Sequence, residues 1–353
     1  MRGIEMTTTA LCAALAAGAC TDFGGTISPD VVEELADDDA SAFVTLEGVG
    51  VTDALDPAGA SAVIEVRPFR RLGVLWDAPT ADALELRTSA DRAIWSAWRA
   101  IAVTWSEEGA HTGNLDLDDD EAASYVQVRV TDAANPPSFV AVEPIEVIHE
   151  PPTGELADTT DADDDLDGDA LTTLELSTAI GPFQIQDRKE WGARRPRCAD
   201  YANPNRATIH HTVSPNHDSK TVKARLRQIQ AYHMFSRGYC DIAYNYLVSA
   251  DGRIWQGRGA RRIGGHTFNE NTGNVGIAWI GNFTSRSPDA VQLCNNARLL
   301  RWLHAKFPAL DLTRTDVKGH RQHGGASGAT SCPGDALYRR LDDLVRMAKN
   351  GCN

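Results

Sequence analysis

R-A-T-I-H-H-T, residues 206–212, reads as a β-strand that ends in two adjacent histidines. Side chains alternate along a strand, so His210 and His211 point to opposite faces of a sheet. Two further residues complete a set with His210: His320 in V-K-G-H-R and Cys332 in T-S-C-P-G. Imidazole nitrogen and thiolate sulfur are zinc ligands, and catalytic zinc takes three protein ligands with a fourth position open. His323 lies three residues beyond His320 and competes for the same role, while Cys332 has a disulfide as its alternative fate.

Outward from this strand the pattern is α/β. Asp218-Ser219 can cap a helix whose apolar positions Val222, Leu226 and Ile229 share one face, with Gly238 beyond its end. His233 continues that buried face and reads as structural. A-Y-N-Y-L-V-S, Asp251-Gly252 and R-I-W-Q form a predicted hairpin. V-G-I-A-W-I-G is a continuous apolar run that suits a central strand. Ser287-Pro288 opens a long helix through Leu293, Ala297, Leu300 and Leu303, and a last helix is expected from about Asp335 to Lys349.

The chain has 353 residues, long enough for two domains. Its net charge of −15 hides an asymmetry: residues 1–180 carry 8 Lys and Arg against 36 Asp and Glu, whereas residues 181–353 carry 26 against 13. A basic half suits an anionic substrate or surface. A nucleic-acid partner is not expected, because no DNA or RNA motif accompanies the charge.

Residues 1–20 read as an export signal, with Arg2 ahead of a short Ala/Leu/Gly run too short to span a bilayer. Its end, L-A-A-G-A-C, resembles a bacterial lipobox with Cys20 as the lipidated residue, and Met6 is an alternative start. The expected location is the cell envelope, lipid-anchored through Cys20, or the secreted fraction. Export favours disulfides. With Cys12 and Cys20 in the leader and Cys332 a ligand candidate, Cys198, Cys240, Cys294 and Cys352 remain. Three pairings are open, and local spacing favours Cys198–Cys240 with Cys294–Cys352.

Residues 21–42 are an acidic tether. Over residues 43–150 short β-rich runs recur, F-V-T-L, S-A-V-I-E-V, G-V-L-W, A-L-E-L-R-T, R-A-I-A-V-T-W, Y-V-Q-V-R-V and P-I-E-V-I, separated by turn signals. They predict a β-sandwich. Trp76, Trp95, Trp98 and Trp105 could stack on sugars, but a buried core is the commoner use of such residues. Residues 151–180 form an Asp-rich linker. Asp163, Asp165, Asp167 and Gly168 match the start of a calcium loop, but position 12 falls on Leu174, one short of Glu175. Ca2+ at Asp163–Asp169 is therefore weighed against a self-repelling spacer. Residues 181–353 form the second domain.

W-G-A-R from Trp191, I-H-H-T, G-Y-C-D-I-A-Y-N-Y-L-V, G-R-G, G-G-H-T, N-V-G-I-A-W-I-G-N-F, G-H-R and T-S-C-P-G occur in this order. Together they resemble the peptidoglycan recognition protein and N-acetylmuramoyl-L-alanine amidase type 2 family over residues 183–349. A-mid-chain stretch, G-V-L-W-D…L-E-L-R…W-S-A-W-R, resembles an accessory β-domain found beside some bacterial cell-wall amidases. The main resemblance implies a mixed central sheet flanked by helices, one Zn2+ on His210, His320 and Cys332, and Tyr244 and Thr330 as catalytic groups. It also implies His266, His211, Asn274 and Arg321 as substrate contacts. Peptidoglycan would be the partner and a monomer the default. The implied activity is hydrolysis of the amide between the lactyl group of N-acetylmuramic acid and L-alanine. The alternative is a non-catalytic peptidoglycan receptor on the same fold; receptors of the family commonly lose the cysteine ligand, which is present here. The chain departs from the family in Tyr239, where tryptophan is usual, and in a longer, glycine-rich loop from His320 to Cys332.

Overall fold

The computed structural model describes residues 44–46, 59–118, 121–145, 184–328 and 330–352. The export signal with Cys20, the acidic tether and the Asp163–Asp169 run lie outside them. Among the described residues no helix is long and apolar enough to cross a membrane.

The N-terminal half is built of antiparallel strands: β1 (Val44–Leu46), β2 (Ile64–Phe69), β3 (Arg71–Asp77), β4 (Leu84–Ser89), β5 (Arg99–Ala100), β6 (Ala102–Glu107), β7 (Ala110–Asp116), β8 (Ala123–Val130) and β9 (Phe139–Ile145). They form two sheets, ordered β1-β9-β3-β7-β6 and β2-β8-β4-β5. Leu72, Val74 and Trp76 of β3 and Val140 and Val142 of β9 meet Leu84, Leu86, Val126 and Val128 of the other sheet in one core. Burying a side chain of this size stabilises by about 1.5–3 kcal/mol. Two details differ from expectation. The polar-looking run A-H-T-G-N-L-D is the interior strand β7, and the last strand begins at Phe139 rather than at Pro144.

The tryptophans divide. Trp76 and Trp105 are buried. Arg87 lies 5.0 Å and 4.6 Å from the ring centres of Trp95 and Trp98, and Arg129 lies 4.6 Å from that of Trp98. Guanidinium groups thus take ring faces that a sugar would need.

The C-terminal half holds a six-stranded mixed sheet ordered β10-β13-β12-β14-β11-β15. Its strands are β10 (Ile185–Gln186), β11 (Arg206–His211), β12 (Tyr246–Val248), β13 (Ile254–Gln256), β14 (Asn274–Trp279) and β15 (Val317–Gly319). The β12–β13 hairpin is antiparallel as expected, and the fully buried β14 is central. One face packs on α3 (Ala290–Lys306) and α5 (Leu341–Asn350) through Ile209, Ile277, Leu300, Leu303 and Leu344. The other face packs on α1 (Arg188–Trp191) and α2 (Val222–Ala231) through Trp191, Leu226, Ile229 and Leu247.

Helix ends shift slightly from those expected. Thr221, not Asp218 or Ser219, caps α2, its hydroxyl accepting from the Ala224 N–H at 3.2 Å. Asp289 caps α3 in a capping box with Gln292, just past Ser287-Pro288. The final helix is two pieces, α4 (Asp335–Tyr338) and α5. Cys198–Cys240 and Cys294–Cys352 are both bonded, and Cys332 is buried and outside both disulfides.

The two halves are not separate beads. Even-numbered residues of β3 face the sandwiched core, whereas Gly73, Leu75 and Asp77 face α2 and the π-helical turn Tyr232–Ser236 that continues it. Leu75, Phe139 and Ala141 cluster with Tyr232. Arg225 reaches from α2 to Asp77 at 2.5 Å and also binds Asp218 at 2.7 Å. Gln228 donates to the backbone oxygens of Trp76 and His111 at 3.2 and 2.9 Å. The five-stranded sheet is therefore covered on both faces, which explains the nearly unbroken burial of β3 and β9.

Candidate functional site

The sheet register assembles the site. Ile209 of β11 pairs with Gly319 of β15 in parallel, so His210 and His320, which opens a 3-10 turn straight after β15, come side by side. Their ring centres are 4.6 Å apart. The Cys332 Sγ lies 3.6 Å from His210 Nδ1. Donor atoms of His210, His320 and Cys332 all fall within 4.8 Å of one another, and all three residues are buried. Two imidazoles and a thiol outside any disulfide are a donor set that zinc takes readily. His323 is outside this group: its Nε2 meets the Thr208 hydroxyl at 2.9 Å.

The long glycine-rich loop does not separate the ligands. The Arg321 N–H donates to the Cys332 carbonyl at 3.0 Å, closing the loop at its two ends. Arg321 also pairs with Asp335 and lies 5.0 Å from the ring centre of Tyr338. Thr330 accepts from the Cys332 N–H at 2.9 Å, so its hydroxyl stands directly beside the thiol-bearing residue.

His266 sets the tautomer of His210. Its Nε2 donates to the Asn274 carbonyl at 3.2 Å, which leaves its Nδ1 bare. That Nδ1 lies 3.0 Å from His210 Nε2 and so accepts from it. His210 then carries its proton on Nε2 and presents a bare Nδ1 toward Cys332, as a ligand must. Burial, followed by the nearby His320 and His266, holds His210 well below the usual histidine range, so it is neutral. Burial likewise pulls His266 down to about 3. A Cβ on Gly276 would stand 2.2 Å from the His266 ring, so only glycine at this point of β14 leaves room for it.

Tyr244 borders the cluster, its ring centre 5.4 Å from that of His210. Burial and then the Cys332 sulfur push its phenol far above the normal value, so the hydroxyl keeps its proton. The D-I-A-Y-N-Y segment that carries it is held by buried polar groups. Asp241 pairs with Arg188 at 2.9 Å, and Asn245 donates to Gly259 and Arg262 carbonyls at 2.6 and 2.8 Å while accepting from the Gly276 N–H at 2.8 Å. The sign of these roles is visible in sequence only as Asp and Asn inside an apolar run.

Three residues expected to touch substrate sit behind the surface. His266 has both ring nitrogens engaged as above. His211 is buried and accepts from the Phe283 N–H at 3.1 Å. Asn274 is buried between the Thr208 hydroxyl at 3.0 Å and the Glu270 carbonyl at 2.8 Å. All three are buried, whereas Arg321 is half-buried and so the most exposed of the four expected contacts.

The N-acetylmuramoyl-L-alanine amidase family profile matches residues 200–335. Peptidoglycan-recognition protein SC2 of Drosophila simulans is 32% identical over 176 residues, covering 48% of this chain and 91% of that protein. Peptidoglycan-recognition protein 1 of Holotrichia diomphalia is 32% identical over 163 residues, 45% of this chain and 79% of that protein. The N-acetylmuramoyl-L-alanine amidase of Homo sapiens is 33% identical over 191 residues, 50% of this chain and 30% of that protein. With its ordered motifs and this coverage, the chain belongs to the peptidoglycan recognition protein and N-acetylmuramoyl-L-alanine amidase family.

Proposed function

We propose that the chain is a zinc-dependent N-acetylmuramoyl-L-alanine amidase acting on peptidoglycan. One observation carries this reading: the donors of His210, His320 and Cys332 converge within 4.8 Å while the protonated Tyr244 phenol stands beside them. A receptor needs a groove for the glycopeptide but not a complete ligand set with a protonated phenol next to it.

His210 through Nδ1, His320 and Cys332 would hold the ion. A bound zinc ion supplies Lewis acidity toward a carbonyl oxygen and toward water. Tyr244 donates its phenolic proton as a hydrogen bond to the lactyl carbonyl oxygen, where negative charge develops. Thr330, already accepting from the Cys332 N–H, has its own hydroxyl proton to donate to the same oxygen. Water adds to the carbonyl carbon, the C–N bond breaks, and the alanine nitrogen leaves with a proton. The products are a glycan lactyl carboxylate and a stem peptide.

The domain layout follows the same reading: a β-sandwich of two sheets docked on a zinc amidase unit spanning residues 181–353. Digestion of purified sacculi by the full chain tests the activity. Zinc-dependent appearance of free L-alanine amino termini supports the amidase. Retention on sacculi with no new amino termini, with or without zinc, overturns it in favour of the receptor.

A further inference from the structure

The seam between the two halves leads to the candidate catalytic tyrosine through one buried carboxylate. We propose that Glu143 of the N-terminal half is a positioning residue for Tyr244: it clamps the π turn Tyr232–Ser236 that holds His233 against the Tyr244 ring. This rests on the reading of Tyr244 as the catalytic phenol.

Glu143 is 0% exposed and projects from β9 on the face turned toward the C-terminal half. Its carboxylate accepts from the Tyr232 hydroxyl and from the Arg237 guanidinium. A buried carboxylate needs such partners, and both come from across the seam. The strand beside it is shaped for this contact. Gly73 is the β3 residue paired with Glu143, and a Cβ there would stand 2.4 Å from the Tyr232 oxygen. Any other residue would block the path of the phenol to the carboxylate.

Tyr232 and Arg237 are also the two residues whose backbones close the π turn, the Arg237 N–H donating to the Tyr232 carbonyl at 3.1 Å. Single π turns are uncommon and occur often at functional sites. Glu143 therefore grips by their side chains the same pair that defines the turn. Inside it, His233 is buried, and its ring meets Tyr244 edge-on at 5.6 Å and 74°. Its Nδ1 accepts from the N–H of Ala243, the residue before Tyr244, at 3.1 Å. Tyr239 stacks on His233 at 5.8 Å and 24°, and the Arg237 guanidinium lies 5.1 Å from the Tyr239 ring centre. The carboxylate thus reaches Tyr244 by two contiguous routes, through the turn to His233 and through Arg237 and Tyr239 to the same ring.

The test uses the full chain as Glu143→Gln and as Tyr232→Phe, the latter deleting a single oxygen so that the fold persists. With a soluble muramoyl-L-alanyl peptide, each variant is expected to lose about 10- to 100-fold in kcat while KM stays within about twofold, the size of effect that a displaced catalytic group produces. Bound zinc stays at the wild-type ratio. A second readout needs no turnover: 3-fluorotyrosine placed at position 244 is expected to show a shifted or broadened 19F line in both variants. An unmoved 19F line, or wild-type kcat in the folded variants, overturns the proposal. If the wild-type chain itself does not hydrolyse the peptide, the amidase reading fails, and the 19F line alone decides the positioning role.

Discussion

The 3.0 Å bond from His210 Nε2 to His266 Nδ1 determines which nitrogen of His210 faces the Cys332 sulfur. On the proposed reading His266 is thus the residue that prepares His210 to bind zinc. His266→Ala is expected to weaken zinc binding by about 10- to 100-fold, the usual cost of losing a partner behind a metal-bound histidine. A chelator competition titration measures it, and unchanged affinity would show that His210 is oriented without this bond.

Cys332→Ser removes the thiolate from a set of three. The buried thiol takes part in no disulfide, so the exchange breaks no covalent link. Zinc content after dialysis should drop to the background of a His210→Ala control, with the far-ultraviolet circular dichroism of the wild type retained. A variant that keeps stoichiometric zinc would remove Cys332 from the ligand set.

Tyr244→Phe deletes the proton donor and leaves the three ligands. Losing one such donor typically costs about 10²–10³ in kcat. The variant should still bind one zinc and still be retained on sacculi, so its defect appears in peptide release alone. Near-normal release would assign Tyr244 to packing against His210 and His233.

Arg225 spans the seam to Asp77 at 2.5 Å, with both side chains 1% exposed. Arg225→Met leaves the Asp77 carboxylate buried with its main partner gone, a change that costs about 3–5 kcal/mol. Urea unfolding reads this directly. The same argument predicts that a fragment of residues 183–353 is less stable than the full chain, because Tyr232, Arg225 and Arg237 would lose Asp77 and Glu143.

Acid should loosen the seam. Burial, then the charges of Arg237 and Arg258, hold His233 well below 6.5. Burial also lowers His111, whose ring packs behind the sheet contact. As pH falls below 6.5, the unfolded chain takes up protons at these sites before the folded one does. Their contribution is complete above that value and is lost progressively below it. Melting temperature should fall between pH 7 and pH 5, and less steeply in His233→Gln. Equal slopes for the variant and the wild type would remove His233 from this account.

Much of the site is legible along the chain because its identity is local. I-H-H-T, G-H-R and C-P-G name the three donors that the fold brings within 4.8 Å, strand alternation separates His210 from His211, and the hairpin follows from Asp251-Gly252. Cysteine spacing anticipates both disulfides. Harder to read are residues whose role depends on what docks against them. The run containing His111 and Thr112 looks polar, yet it is the buried interior strand β7, because a helix from more than a hundred residues away covers its second face. His266 resembles a substrate contact in G-G-H-T, and only the packing of its loop against β14, the parallel neighbour of β11, brings its ring to His210.

Local chemistry in the sequence therefore determined the ligand types, the alternation of strands and the family of the C-terminal half. Tertiary structure alone decided that the Arg321 N–H would close the ligand loop on Cys332, and that Glu143 would meet Tyr232 and Arg237 across the seam. Side-chain type and period are carried by neighbouring residues, whereas a buried charge acquires its partner only when distant segments pack and exclude water.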